Sequence, residues 1–345
     1  MYYVLYDRHL NSIGDVYILE SWERTQRAYD FDDMKIVGET IPASADPFFV
    51  VCNDKRGKLM FSGLASTPVI DETTHKTTIT MKDYMTLLNS DIVVDWSAFT
   101  GTKLSDLINF VLALWKTQNG DIGFSGIQWD VSGVTDVALD PDIPLGEDTE
   151  SVLAYDIISE HMYYYGVWCE PVLDVNAHTL TYIFRQVGLY TVDVRLKDFG
   201  IERIEKSFGE YNKATVYSSS FVKKHTWVLT ADNQVQRETE NSALVYPVKN
   251  RNFIAIDDTE AEINNALYDA VMGLAENRYQ ENFDLDIQQH KAGTILSGID
   301  FSTSVRVYTD NGYYKTLPVG EIETNSDSRH IIKIGYYVQE LTQSL

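Results

Sequence analysis

Near its two ends the chain carries the same ungapped pattern. ITMKDYMTLL, starting at Ile79, and IKIGYYVQEL, starting at Ile332, both read I-x-[MI]-x-x-Y-x-x-x-L, with Tyr84 and Leu88 in one copy and Tyr337 and Leu341 in the other. Upstream the likeness continues. Val51, Asp54, Gly57 and Gly63 in the first copy answer to Val307, Asp310, Gly312 and Gly320 in the second, with the Asp nine residues before the last glycine in one and ten in the other. Asp followed by Gly closes a hairpin, because the carboxylate bonds to its own turn and Gly accepts positive φ. The alternating apolar residues that follow bury one face of a strand. A duplicated β-unit limits the architecture more than any other feature of the sequence.

The strands expected around these patterns are short and rich in β-branched and aromatic residues: Tyr2 to Tyr6, Val16 to Leu19, Phe48 to Val51, Leu59 to Leu64 and Thr77 to Met81. Turn signals at Asn11–Gly14, Asp54–Gly57 and Asp71–Lys76 separate them, the arrangement of an antiparallel barrel or sandwich. After Gly101 the period changes. Leu104, Leu107, Ile108, Val111, Leu112 and Trp115 form a helical stripe. A second helix is expected from about Thr149, capped by Asp148 or Thr149, to Tyr165, with Gly166 at its end. Strands follow at Leu180 to Val187 and Val192 to Leu196. A third helix opens on a capping box of Thr259 and Glu262 and carries Ile263, Leu267, Val271 and Leu274, with Arg278 near its negative end. Strands flank it at Ala214 to Val222, Thr226 to Leu229, Phe283 to Ile287, Val305 to Tyr308 and His330 to Ile334.

The fold class expected is therefore α+β, mainly β: two related antiparallel β-barrel domains with α+β pieces inserted between them. The divisions read as a first barrel at 1–97, an α+β domain at 98–206, a discontinuous second barrel at 207–245 and 284–345, and a helical insertion at 246–283.

Charge narrows the partners. Of 345 residues, 28 are Lys or Arg and 51 are Asp or Glu, a formal net charge of −23, which argues against binding to phosphate backbones. No apolar run is long enough to span a bilayer, and MYYVLYDRHL lacks the marks of a signal peptide. The two cysteines, Cys52 and Cys169, stand in unrelated apolar contexts and read as buried reduced thiols.

No catalytic constellation emerges. His9, His75, His161, His178, His225, His290 and His330 are scattered, and the zinc-peptidase, nucleophile-elbow, phosphate-loop and Cys-x-x-Cys patterns are all missing. Asp284, Asp286 and His290 read as a solvated strand face before a cation site. Asp140, Asp142, Glu147 and Asp148 lack the ordered calcium-loop pattern and suit an exposed loop. Tyrosine clusters at Tyr163–Tyr165, Tyr313–Tyr314 and Tyr336–Tyr337 read mainly as packing residues, with stacking on sugars or anchoring a protein partner as the alternatives. No residue is assigned a catalytic, cofactor or metal role, and the partner-contact residues stay open.

The opening YVLYDRHLNSIGDVYILESWERTQRAYDFDDMKI, with FFVVCNDKRGKLMFSGLAST and TTITMKDYMTLL, resembles tail-tip hub proteins of long-tailed phages and prophages of Gram-positive bacteria. Phe61, Gly63 and Asp83–Tyr84 match that family's strand–turn–Phe-x-Gly pattern, and the resemblance covers residues 1–95, then the whole chain through domain order. It implies a fold similar to the central hub of contractile-tail baseplates. There two related barrels in each of three copies give six similar units, matching a sixfold tail tube to a threefold tip. It further implies a homotrimeric virion structural protein, made in the host cytoplasm, that closes the distal tube and opens for DNA passage. Its implied partners are the distal tail protein, the tape-measure protein and receptor-binding or fibre proteins. Longer members add a C-terminal peptidoglycan-cleaving or fibre region; here the sequence stops soon after the second repeat, so the scaffold is carried over and no hydrolase activity with it. The alternatives are a tail-associated peptidoglycan hydrolase and a carbohydrate-binding receptor protein.

Overall fold

The computed structural model describes residues 1–335 except 15, 43, 44, 46, 121, 122, 142, 146–148, 197–199, 208, 232, 241, 245, 246, 279, 289–298 and 328. The expected Tyr337 and Leu341 of the second repeat, with Tyr336, lie outside the described residues.

Seven strands fill the N-terminal part: β1 (Tyr2–Tyr6), β2 (Tyr17–Arg27), β3 (Asp33–Glu39), β4 (Phe49–Asn53), β5 (Leu59–Ala65), β6 (Val69–Asp71) and β7 (Lys76–Lys82). Their antiparallel pairings run β1-β4-β5-β7-β3-β2, and β2 returns to β1, so six strands pair in a cycle. The period of two in the sequence is what fills it. Tyr3 and Leu5, Met34 and Ile36, Val50 and Cys52, and Ile79 and Met81 alternate inward and form one buried cluster with Phe61. Each such apolar side chain contributes ~1.5–3 kcal/mol on leaving water. The β4–β5 turn closes as its sequence predicts. Asp54 accepts backbone N–H bonds from Arg56 at 2.7 Å and Lys58 at 2.9 Å, and Gly57 sits at φ 79°. β3 escaped the sequence reading because Lys35 and Glu39 interrupt its apolar residues.

A second set follows the same order. β13 (Tyr190–Arg195), β20 (Thr303–Thr309), β21 (Gly312–Asn325), β22 (Arg329–Ile334), β19 (Gln280–Gln288) and β14 (Gly200–Ser207) neighbour one another in that sequence. Five positions agree in order and direction with the first set. The sixth differs: β1 lies antiparallel to β4, whereas β13 lies parallel to β20. One irregularity marks an equivalent place: β4 shifts register after Cys52 and β20 after Val307. It sets Cys52 level with Val307 and Met81 with Ile334. β2 and β14 also shift register, but two residues apart on their ladders, at Leu19/Ser21 and at Ile201/Arg203. The ungapped strand register of the repeat stands, but Val307 answers Cys52 rather than Val51. Gly63, opposite Val50, does not correspond to Gly320, which lies past the end of β20 and accepts from the Ala28 N–H at 3.0 Å. The sequence likeness had absorbed the different turn lengths.

Between the sets come β8 (Asp91–Asp95), α1 (Leu104–Asn119), β9 (Gly126–Gly133), β10 (Thr149–Leu153), α2 (Ala154–Tyr165), β11 (Val167–Asp174) and β12 (Thr179–Gln186). The expected helix start at Thr149 is a strand instead: Thr149–Leu153 pairs antiparallel with β8, and α2 begins at Ala154. Ladder bonds to Asp91–Asp95 outweigh the cap that Thr149 offers. Gly166 takes the left-handed conformation, φ 64° and ψ 50°, that ends α2.

Residues 213–237, expected in the second barrel, pair elsewhere. β15 (Lys213–Tyr217), β16 (Lys224–Leu229), β17 (Val235–Arg237) and β18 (Asn250–Ile254) make their own four-stranded sheet, covered by α3 (Glu260–Glu276). Ala214, Val216, Trp227 and Leu229 bury against Leu267, Val271 and Leu274 of α3, so the apolar stripe read from sequence has this sheet as its partner. β13 and β14, expected in the α+β piece, supply strands to the second set. Thr259 caps α3, accepting from the Glu262 N–H at 3.4 Å. Arg278 serves a different helix: its guanidinium donates to the Tyr163 and Tyr164 carbonyls, both at 3.3 Å, at the C-terminal end of α2.

Candidate assembly surfaces

The two strand sets meet edge to edge. Residues 23–27 of β2 pair antiparallel with 325–321 of β21, which joins both sets into one 13-stranded sheet. The polar side chains over this joint are matched. Arg27 bonds Asp33 at 2.6 Å and approaches Glu321 at 3.3 Å. Lys333 from β22 also reaches Glu321, and Glu323 at 2.6 Å. The Glu321 side chain is 8% exposed, so these cations offset the cost of burying its charge. Arg24 lies 3.5 Å from Asp32, donates to the Met60 carbonyl at 2.8 Å and stands over the Phe61 ring.

Behind the joint is an acidic pair. Asp83 Oδ2 accepts the Asp32 N–H at 3.0 Å and its Oδ1 the Met85 N–H at 3.0 Å, where it caps the short helix Tyr84–Leu88. Burial, then the neighbouring Asp32 charge, holds the Asp83 carboxyl well above its usual range. Burial lifts Asp32 to about 6, against the pull of Arg24. A second clasp ties α2 to α3: the Tyr268 hydroxyl donates to Glu160, whose carboxyl burial raises to about 7. Beside it His161 is buried, with Nδ1 2.7 Å from the Ile157 carbonyl, and burial lowers its pKa to about 4.

Among the described residues, those considered for chemistry are not brought together into one site. Asp284 and Asp286 share β19 at alternate positions, with Phe283 and Leu285 buried between and beside them; His290 lies outside the described residues. So do Asp142, Glu147 and Asp148; the Asp140 N–H donates to the Tyr165 hydroxyl at 2.8 Å. Among the described residues no group of three His, Cys, Asp or Glu is placed to hold a metal ion, and no helix is long and apolar enough to cross a membrane. Tyr163 is buried edge-on to Tyr29, Arg278 lies over the rings of Tyr163 and Tyr164, and Tyr165 stacks on His161. That cluster packs inward, as the favoured reading had it, and takes the sugar platform with it. Tyr313 and Tyr314 are exposed at the β20–β21 hairpin. A cleft of about 350 Å³ lies between β16 and α3, lined by Lys224, His225, Glu260, Ile263 and Leu267. The cysteines are free, Cys52 buried and Cys169 partly so.

The joint itself was not found from sequence: β2 and β21 lie at opposite ends of the chain and meet through backbone groups that carry no residue pattern.

No family model and no curated protein sequence matches the chain. Solved structures do. A 43 kDa tail protein of a Shewanella oneidensis prophage superposes with a TM-score of 0.53 at 13% identity, over 97% of each chain. A tail protein from Neisseria meningitidis gives 0.51 at 11% identity, over 96% of each chain. A prophage tail protein from Listeria monocytogenes gives 0.50 at 11%, over 97% of this chain and 94% of the other. The chain has the fold of these proteins along its whole length.

Proposed function

We propose that this chain is a structural protein of a phage or prophage tail: a homotrimeric hub at the tail tip that closes the distal tube, matches its sixfold symmetry to a threefold tip and opens for DNA passage. The observation that carries this reading is the repetition of one strand order within a chain of the tail-protein fold. Two like units per chain, residues 1–88 and residues 190–207 with 280–335, make six in a closed ring of three. A symmetry adaptor requires that number.

The partners follow from the position: the distal tail protein and tube above, the tape-measure protein within, and receptor-binding or fibre proteins around the rim. The location is the virion tail tip, after synthesis in the host bacterial cytoplasm. The fold likeness reaches proteins from Shewanella, Neisseria and Listeria, and so does not single out one group of hosts. The net charge of −23 suits a conduit whose wall repels passing phosphate.

The reading is tested by light scattering and by class averages of negatively stained particles. A trimer with six like lobes around a central opening is expected. A protein that stays monomeric across the accessible concentration range refutes it, and cell-wall degradation by the purified chain would move the assignment to a hydrolase.

A further inference from the structure

Resting on the ring proposed above, the strand pairings identify which edges of neighbouring protomers meet. Inside the chain, the first set gives β2 to the joint and the second gives β21. β2 enters where β20 stops: Ala28 donates to the Gly320 carbonyl, and at the far end Ser326 donates to the Trp22 carbonyl at 2.9 Å. Each set therefore holds an unused counterpart of the element that its partner set contributes.

The counterpart of β2 is β14, by its place in the strand order and its direction. The counterpart of the outer part of β21 is β6. β4 leaves the edge of β5 at Ala65, whose N–H bonds the Phe48 carbonyl at 2.9 Å, as β20 leaves β21 at Pro318. Beyond that point β5 and β6 continue along β7, as β21 continues along β22. Among the described residues no strand pairs with the outer edge of β6 or with the edge of β14 away from β19. Two unpaired edges on one molecule, each answering half of an interface already built within it, are an assembly device as much as a hazard.

We propose that β14 of one protomer pairs antiparallel with β6 of the next, repeating the internal β2–β21 joint, so that three internal and three external joints alternate around the ring. The contact is heterologous, and a closed ring is what keeps it from running on as a filament. Its register follows from the internal one. Thr25, Arg24 and Glu23 stand opposite Glu323, Thr324 and Asn325. With Met81 level with Ile334, Thr78 is level with Ile331, so Val69 takes the place of Glu323. On the same ladder Arg24 and Thr25 of β2 are level with Ile204 and Glu205 of β14, so Glu205 stands opposite Val69 of the neighbouring copy, Ile204 opposite Ile70 and Arg203 opposite Asp71. Val69 is 66% exposed in the single chain, and this contact covers it.

The test is the double variant Val69→Cys with Glu205→Cys. Directly opposed residues of an antiparallel pair lie within disulfide reach. Mild oxidation is expected to give covalent trimers that a reductant returns to single chains, while each single variant and the parent protein stay uncrosslinked. If scattering shows a trimer but the double variant forms no covalent trimer, the strand joint is wrong and the ring stands. If the protein is monomeric throughout, both fall. Val69→Lys is the second arm: it is expected to raise the concentration needed for trimer at least tenfold without changing the melting temperature of the monomer, and an unaffected trimer overturns the joint.

Discussion

Replacing Glu160 by Gln should stabilise the protein, and do so more at pH 8 than at pH 4.5. Glu160 sits between α2 and α3, accepts from the Tyr268 hydroxyl, and has Asp156, Asp269 and Glu276 as its charged neighbours. Burial raises its pKa from 4.5 to about 7, so the folded chain holds a proton that the unfolded chain releases. Stability from this group is complete below pH 4.5 and is lost as pH rises toward 7. At ~1.4 kcal/mol per pH unit, the gap has a ceiling of about 3 kcal/mol. Part of the side chain stays within reach of water, and Gln gives up a charge-assisted bond to Tyr268, so a gain of about 1–2 kcal/mol at pH 8 is expected. Gln cannot ionise, and at pH 4.5 the two proteins should be nearly equal. Urea unfolding of both at pH 4.5, 6 and 8 measures the difference directly. A difference that is the same at all three pH values, or a variant less stable at pH 8, refutes the reasoning.

Arg27→Met leaves the buried Glu321 paired with Lys333 and removes the bond to Asp33; a loss of about 2–4 kcal/mol is expected in urea unfolding, with little rescue by salt. Thr259→Ala removes the side-chain cap of α3 and should cost about 1 kcal/mol by the same assay, with no change in oligomeric state. Leu107→Ala opens a cavity under α1, where Leu107 is buried, and should cost about 2–5 kcal/mol. Cys52, buried with its thiol pushed up to about 12, should react with a disulfide reagent only at the rate of unfolding; prompt labelling of the native protein would show that the cluster inside the first ring opens readily.

The joint between the strand sets gives these local effects a wider meaning. Covering a buried carboxylate with Arg27 from one set and Lys333 from the other makes the angle between the sets depend on side chains from both. The hub proposed above, with its fixed spacing between like units, would gain from such a contact, because backbone pairing sets the direction and the charges favour one register.

What the sequence decided is whatever depends on near neighbours. The turn at Asp54–Gly57, the inward alternation of Tyr3 and Leu5, the α1 stripe and the Thr259 cap all follow from interactions within a few residues, so a linear reading finds them. The ungapped likeness between Ile79–Met81 and Ile332–Ile334 also survives, since both pairs fill the same buried positions of their sets. Other features belong to tertiary structure alone. Thr149–Leu153 became a strand because β8 was there to pair with it, and residues 213–237 left the expected barrel because β18 and α3 offered a closer partner. Neither partner adjoins its mate in sequence. The same holds for the pairing of β2 with β21, nearly 300 residues apart in the 345-residue chain: a strand edge bonds through backbone groups that every residue shares, so composition says little about which edge it meets.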